Sequence, residues 1–226
     1  MEFIRAGAGK AELYRLNTRI FENDISFRKS YERLSSMRQR KIDAYRFRRD
    51  KNLSLGAGLL LDYGLSRYGL REQDVLIACG PNGKPYLPEY PRIHFNLSHS
   101  GEMALAVFAE SEAGYEVKLG CDVEMVQQAD LALAEKYFCP GEYRYVAGQE
   151  NEQRQNEAFY RIWTLKESFL KAAGLGLSLE LDAFEIQTDA DGKVRVCQQV
   201  DSGTYQFEEY RFGEYQAAVC FYERRE

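Results

Sequence analysis

Nitrogen and sulfur ligands are scarce in this sequence, which has two histidines and five cysteines in 226 residues. None of the cysteines (Cys79, Cys121, Cys139, Cys197, Cys220) stands in a Cys-x-x-Cys pair, so the spacing of a zinc site is absent. Their odd number and lack of pairing predict reduced, mostly buried thiols in a cytoplasmic protein. A chain this long buries roughly 70–75% of its unfolded surface and needs no disulfides. No apolar run approaches the roughly 20 residues of a membrane span, and the N-terminus lacks the apolar stretch of a signal peptide. Low-complexity tracts and Gly/Ser linkers are also missing. Strand and helix signals do not alternate in βαβα order, which argues against a parallel doubly wound sheet. Positive charge falls short of negative, with a net charge of −5, and this argues against general nucleic-acid binding.

The mean charge hides a local excess. Residues 38–51 hold seven cations (Arg38, Arg40, Lys41, Arg46, Arg48, Arg49, Lys51) against two anions, Asp43 and Asp50. Such a run is either a solvated helix face or a surface for a phosphorylated ligand or an acidic partner. Helix signals run from about Ser30 to Arg49 and from about Lys51 to Tyr68, the second with Leu55, Leu59, Leu60 and Tyr63 at helical spacing. Strands are predicted near 11–16, 75–79, 93–97 and 104–109, and after residue 119 at 119–124, 183–188, 193–199, 205–212 and 216–222. Helices fall around 130–137, from 142, and over 157–173, where Gly174 ends the longest. The pattern predicts an α+β protein of two similar lobes, 1–118 and 119–226. Each has helices on a small antiparallel sheet of about three strands, and a pseudo-twofold arrangement leaves a ligand cleft between them.

Four short stretches carry the chemistry. Gly83-Lys84-Pro85 is a turn presenting a cation. Phe95-Asn96-Leu97-Ser98-His99-Ser100-Gly101 is a strand running into a donor-rich turn suited to a phosphate, although His99 could equally pack locally. In Gly120-Cys121-Asp122-Val123-Glu124 two acids share one strand face, which calls for a metal or a basic cluster beside them. In Trp163-Thr164-Leu165-Lys166-Glu167-Ser168-Phe169-Leu170-Lys171 a carboxylate lies between two lysines on a helix that is apolar on more than one side. Three carboxylates with cations close by suit a divalent metal holding a phosphate ester.

In this order and spacing, the four stretches resemble the 4′-phosphopantetheinyl transferases of the surfactin-synthetase-activating type, from about Arg38 to Leu179. The resemblance implies a two-lobed monomer that moves the 4′-phosphopantetheine arm of coenzyme A to a serine of an apo acyl or peptidyl carrier protein and releases 3′,5′-ADP. It implies Mg²⁺, with Mn²⁺ as a substitute, on Asp122, Glu124 and Glu167. Asp122, Glu167 and Lys171 would be catalytic, with Glu167, or a water held by it or by the metal, as base. Coenzyme contacts would come from Lys84, Pro85, Ser98, His99 (near the 3′-phosphate), Lys166, Lys171 and Arg40 or Lys41. The carrier would dock on 125–139 through Met125, Val126, Leu131, Leu133, Tyr137 and Phe138. Glu142 matches a family acid of open role. Two rival readings are a different metal-dependent phosphoryl enzyme and an inactive module that binds coenzyme A or a carrier protein.

Overall fold

A computed structural model describes residues 2–6, 10–189 and 191–225. Two antiparallel strands, β1 (Glu2–Ala6) and β2 (Ala11–Asn17), open the chain, followed by helices α1 (Asp24–Tyr31), α2 (Ser36–Asp43) and α3 (Arg48–Ser66). The continuous helix expected over 30–49 is broken in two. Ser35 accepts the amide of Arg38 and starts α2 afresh, and Glu72 fixes Ser35 through its amide and its hydroxyl. Next come a short hairpin, β3 (Ala78–Cys79) and β4 (Pro85–Tyr86), then β5 (Ile93–Ser100) and β6 (Met103–Glu110). Of the strand expected over 75–79, only the two residues that find a partner, Ala78 and Cys79, form one.

The second half holds β7 (Tyr115–Met125), α4 (Leu131–Tyr137), α5 (Pro140–Ala147), α6 (Glu152–Ala173), a hairpin of β8 (Glu185–Thr188) and β9 (Val194–Cys197), β10 (Gln206–Phe212) and β11 (Tyr215–Arg225). The first sheet runs β1-β2-β6-β5 and the second β10-β11-β7. The expected division after residue 118 falls inside β7, and the chain leaves the first sheet in the turn before Tyr115.

Alternation along the strands builds four layers. Met103, Leu105, Val107 and Ala109 of β6 face Val117, Leu119, Cys121 and Val123 of β7 and Ala217, Val219 and Phe221 of β11, forming a core between the two sheets. The other face of β6, Ala104, Ala106 and Phe108, packs under Leu55, Leu60, Leu61 and Leu65 of α3. Ala218, Cys220 and Tyr222 of β11 pack under Leu165, Phe169 and Ala172 of α6. Each lobe therefore has its long helix outside and its sheet inside, as the two-lobed reading requires.

Gly120 explains the first letter of the Gly-x-Asp-x-Glu stretch. A Cβ there would lie 2.1 Å from the Ser168 carbonyl oxygen and 2.4 Å from the Ala172 nitrogen, both backbone atoms of α6. The helix presses directly on the strand at this point, which brings its acidic face beside Asp122. Gly120→Ala is therefore expected to cost about 3 kcal/mol of stability, read from the urea midpoint at unchanged slope. A cost below about 0.5 kcal/mol would mean that helix and strand are not in such contact.

Candidate active site

β5 and β7 are the edge strands of their respective sheets, and they lie side by side without backbone pairing. Side chains of β5 bridge the gap. Asn96 Oδ1 accepts the Cys121 amide at 2.9 Å, Ser98 Oγ the Val123 amide at 3.4 Å and Ser100 Oγ the Met125 amide at 3.2 Å. Their period of two follows from strand geometry, which puts 96, 98 and 100 on one face. The same hydroxyls reach the acids of β7: Ser98 donates to Asp122 at 2.8 Å and Ser100 to Glu124 at 2.6 Å. One row of side chains thus joins the lobes and orients two carboxylates.

From the other side, α6 contributes Trp163, Glu167 and Lys171, one helical turn apart. Lys171 Nζ donates to Asp122 Oδ1 at 2.6 Å and to Ser98 Oγ at 3.1 Å. These residues close one end of a cavity of about 830 Å³ between the lobes. Ala57, Leu61, Phe95 and Leu97 line its middle, and Arg38, Arg40, Lys41 and His99 line the N-lobe side. Among the described residues, two buried polar side-chain atoms have no partner, Ser54 Oγ and Asp122 Oδ2, and both residues line this cavity. A buried donor or acceptor without a partner is costly unless a ligand supplies one. Ser54 escaped the sequence reading because a serine inside a leucine-rich helix gives no signal of its own.

The acids strain against one another. Burial first, then Asp122 and Glu167, push the Glu124 carboxyl up to about 7, against the Ser100 hydrogen bond and Lys171. Burial and then Asp122 raise Glu167 as well. At Lys171 burial opposes the charge, but Asp122, Cys121 and Glu167 outweigh it and the ammonium is held above its ordinary range. Burial pushes His99 down, and Lys171 and Lys41 push it further. Both effects favour the neutral imidazole.

Oxygen-only donors and the unpartnered Asp122 Oδ2 fit a hard divalent cation. Among the described residues no three Asp, Glu, His or Cys side chains are grouped to hold a metal on their own. A Mg²⁺ ion there would need water and substrate phosphate oxygens beside the carboxylates to complete its ligands.

Two expected coenzyme contacts lie elsewhere. Lys166, next to Glu167 but about 100° around the helix, is fully buried away from the cavity. It pairs with Glu142 at 2.7 Å and donates to the carbonyls of Leu181 and Phe184 at 2.7 and 2.6 Å. Glu142 also accepts the amides of Cys139 and Ile186 at 2.8 and 2.6 Å, so this acid fastens α5, α6 and β8 together. Lys84 donates to the carbonyls of Leu119 and Ala172, while its neighbours Gly83 and Pro85 line the cavity. Arg40, Lys41, Ser98 and His99 line it as expected. The cationic run is divided: Arg48 is tied to Phe21, Asn52 and Asp24, and Arg49 to the Gly101 carbonyl. In the expected docking stretch Leu131 and Leu133 pack partly on the C-lobe core, Met125 packs on the inter-sheet core, and Phe138 is buried. Tyr137 is the one of the six candidates with a largely exposed side chain.

Residues 118–220 match the family model of the 4′-phosphopantetheinyl transferase superfamily, and residues 23–112 match that of the 4′-phosphopantetheinyl transferase N-terminal region. A 4′-phosphopantetheinyl transferase (ffp) of Bacillus subtilis is 32% identical over 164 residues, covering 72% of this chain and 70% of its own. A second from the same species is 31% identical over 195 residues, 83% of this chain and 81% of that one. The chain belongs to the 4′-phosphopantetheinyl transferase family, and it is of the surfactin-synthetase-activating type. The holo-[acyl-carrier-protein] synthase structure of Thermotoga maritima overlays 48% of the transferase and 64% of its own chain, at TM-score 0.41 and 25% identity. The two-lobed architecture of the transferase therefore rests on the strands and helices described above. Among the described residues no helix of the transferase is long and apolar enough to cross a membrane.

The Glu124 shift has a consequence for the ligand-free transferase. A carboxyl raised from 4.5 to about 7 on folding favours the protonated native state. Its contribution to stability is full below pH 4.5 and is lost as pH rises through 7. The melting temperature without metal is expected to fall from pH 5.5 to 8 more steeply in wild type than in Glu124→Gln. Mg²⁺ should raise it more at pH 8 than at pH 5.5. Parallel pH curves for the two proteins would show that Glu124 is not held in this state.

Proposed function

We propose that the cavity between the lobes is where this transferase holds coenzyme A while its 4′-phosphopantetheine arm passes to a serine of an apo acyl or peptidyl carrier protein, with 3′,5′-ADP as the leaving product. The observation that carries the reading is the unpartnered Asp122 Oδ2, whose other oxygen holds Lys171, in a cavity that also presents Glu124, Glu167, Arg38, Arg40 and Lys41.

Asp122, Glu124 and Glu167 would hold Mg²⁺, or Mn²⁺ in its place. A bound divalent ion would neutralise pyrophosphate charge and lower Glu124 and Glu167 back toward their ordinary range. Lys171, kept charged by Asp122, is placed to stabilise negative charge on the reacting phosphate. Glu167, raised by burial, is the candidate to accept the serine proton, directly or through a water. Positioning of the two substrates does most of the remaining work, since phosphoryl transfer asks little covalent chemistry of the protein. At the N-lobe side Arg40, Lys41 and the neutral His99 would meet the 3′-phosphate, whose charge would draw a proton onto His99. Ser54 supplies one further donor to the coenzyme.

The apolar docking stretch is narrowed to Tyr137 and Val126, because Met125, Leu131, Leu133 and Phe138 are engaged in packing. The protein acts as a cytoplasmic monomer in this reading, in keeping with its free thiols, three of which are buried.

The test is intact-mass analysis of an apo carrier protein incubated with coenzyme A and this chain. A gain of one phosphopantetheine unit is expected with Mg²⁺ or Mn²⁺ and none with EDTA. Glu167→Ala and Asp122→Ala should each lose at least two orders of magnitude in kcat while melting cooperatively. Full transfer in metal-free buffer would contradict the metal assignment. No transfer to any acyl or peptidyl carrier would contradict the reading itself.

A further inference from the structure

The β3–β4 hairpin belongs to the N-lobe by sequence, yet its side chains grip the C-lobe. Its turn is closed by bonds from the Gly80 amide to the Lys84 carbonyl and from the Gly83 amide to the Gly80 carbonyl, both 2.9 Å. From this turn Lys84 Nζ donates to the Leu119 carbonyl on β7 at 2.9 Å and to the Ala172 carbonyl in the last turn of α6 at 3.0 Å. Asn82 Nδ2 donates to the carbonyl of Gly174, the residue with φ 72° that ends α6, at 2.9 Å. The final carbonyls of a helix have no partner within it, and a cation there also suits the helix dipole. Leu119 in turn lies on the open edge of β7, two residues before Cys121, where Asn96 begins its bridge. Lys84 therefore continues the row that Asn96, Ser98 and Ser100 form, and extends it onto the helix that carries Lys171 and Glu167.

At rest the partners of Lys84 are the Leu119 and Ala172 carbonyls. The Lys84 side chain faces a separate cavity of about 380 Å³, with His94, Leu119 and Gly174. The titratable groups facing it are Cys121 and Lys118 on β7, Cys220 on β11 and His94 on β5. None of them is a carboxylate, and among the described residues Lys84 has no ion pair. Burial pushes its pKa down to about 8, so the fold holds an ammonium where solvation is poor. Reaching the coenzyme cavity would require Lys84 to leave both carbonyls.

We propose that Lys84 is a positioning residue, pinning the last turn of α6 to the edge of β7 and thereby setting where Lys171 and Glu167 stand. The catalytic part of this rests on the assignment of Lys171 and Glu167 given above. The test compares wild type, Lys84→Met and Lys84→Arg by steady-state kinetics with coenzyme A varied, and by hydrogen exchange of the full-length protein. Lys84→Met is expected to lower kcat at least tenfold with KM for coenzyme A within twofold. The amides of Gly174 and Leu175, both bonded to the Leu170 carbonyl, should exchange faster. Lys84→Arg should recover part of kcat, since a guanidinium can bridge two carbonyls. A tenfold rise in KM for coenzyme A with kcat retained and exchange unchanged would overturn the proposal and make Lys84 a coenzyme contact. If Lys84→Met does not fold, Asn82→Ala removes only the Gly174 bond. A fall in kcat of about threefold at unchanged KM then supports the pin, and unchanged kcat overturns it. An inactive wild type would count against the catalytic assignment, whereas exchange at Gly174 and Leu175 still decides for or against the pin.

Discussion

Two unpaired strand edges meet in the middle of this molecule, and the way they are joined governs the rest. Backbone groups on an exposed edge need partners, and burying them without any is costly. β5 and β7 solve this with side chains: Asn96, Ser98 and Ser100 take the amides of Cys121, Val123 and Met125. Each bond is worth only about 1 kcal/mol net, but together they fix register. A slip of one residue would turn Asp122 and Glu124 into the apolar layer between the sheets and Cys121 and Val123 out of it. The open gap also leaves room for a ligand, which direct strand pairing would have filled.

Charge is arranged in two sets on opposite sides of α6. On the cavity side Lys171 answers Asp122 and leaves Glu124 and Glu167 short of positive charge, so both are raised by burial. On the far side Lys166 and Glu142 pair with each other and backbone groups take their remaining bonds, although burial still raises Glu142 and lowers Lys166. The first set is left with the unpartnered Asp122 Oδ2, which the proposed function gives to a cation. The second is closed and anchors the helix, and breaking one half of such a buried pair costs several kcal/mol. Two lysines five residues apart thus do different work because helix rotation sends them to different faces.

Much of this could be read from the sequence. Periodicity found the long helices and most strands, and the Gly-x-Asp-x-Glu and Trp-x-x-Lys-Glu-Ser-x-x-Lys stretches pointed to one site. The break near Ser35 was missed because it depends on Glu72, a residue 37 positions away that holds the cap. Lys166 and Lys84 have partners that the sequence did not show, for a related reason. A lysine beside a functional carboxylate or in a turn looks like a ligand contact, and only the fold shows that the nearest acceptors are Glu142 or backbone carbonyls. Ser54 was invisible, since its significance lies in what it lacks, a partner within the protein. Asn96 was read as part of a phosphate-binding stretch, and its role as a bridge appears only when β7 is placed beside it.

Hydrogen exchange at the amides of Cys121, Val123 and Met125, in wild type and in Asn96→Ala, tests most directly whether side chains hold the two edges together. Asn96 does not line the cavity, so its replacement probes the join and not ligand contact. In wild type all three amides should exchange as slowly as those of the paired strands β6 and β11. In Asn96→Ala protection should fall at all three together, because register is held by the row as a unit. Rapid exchange in wild type, or loss confined to Cys121 in the variant, would contradict the account.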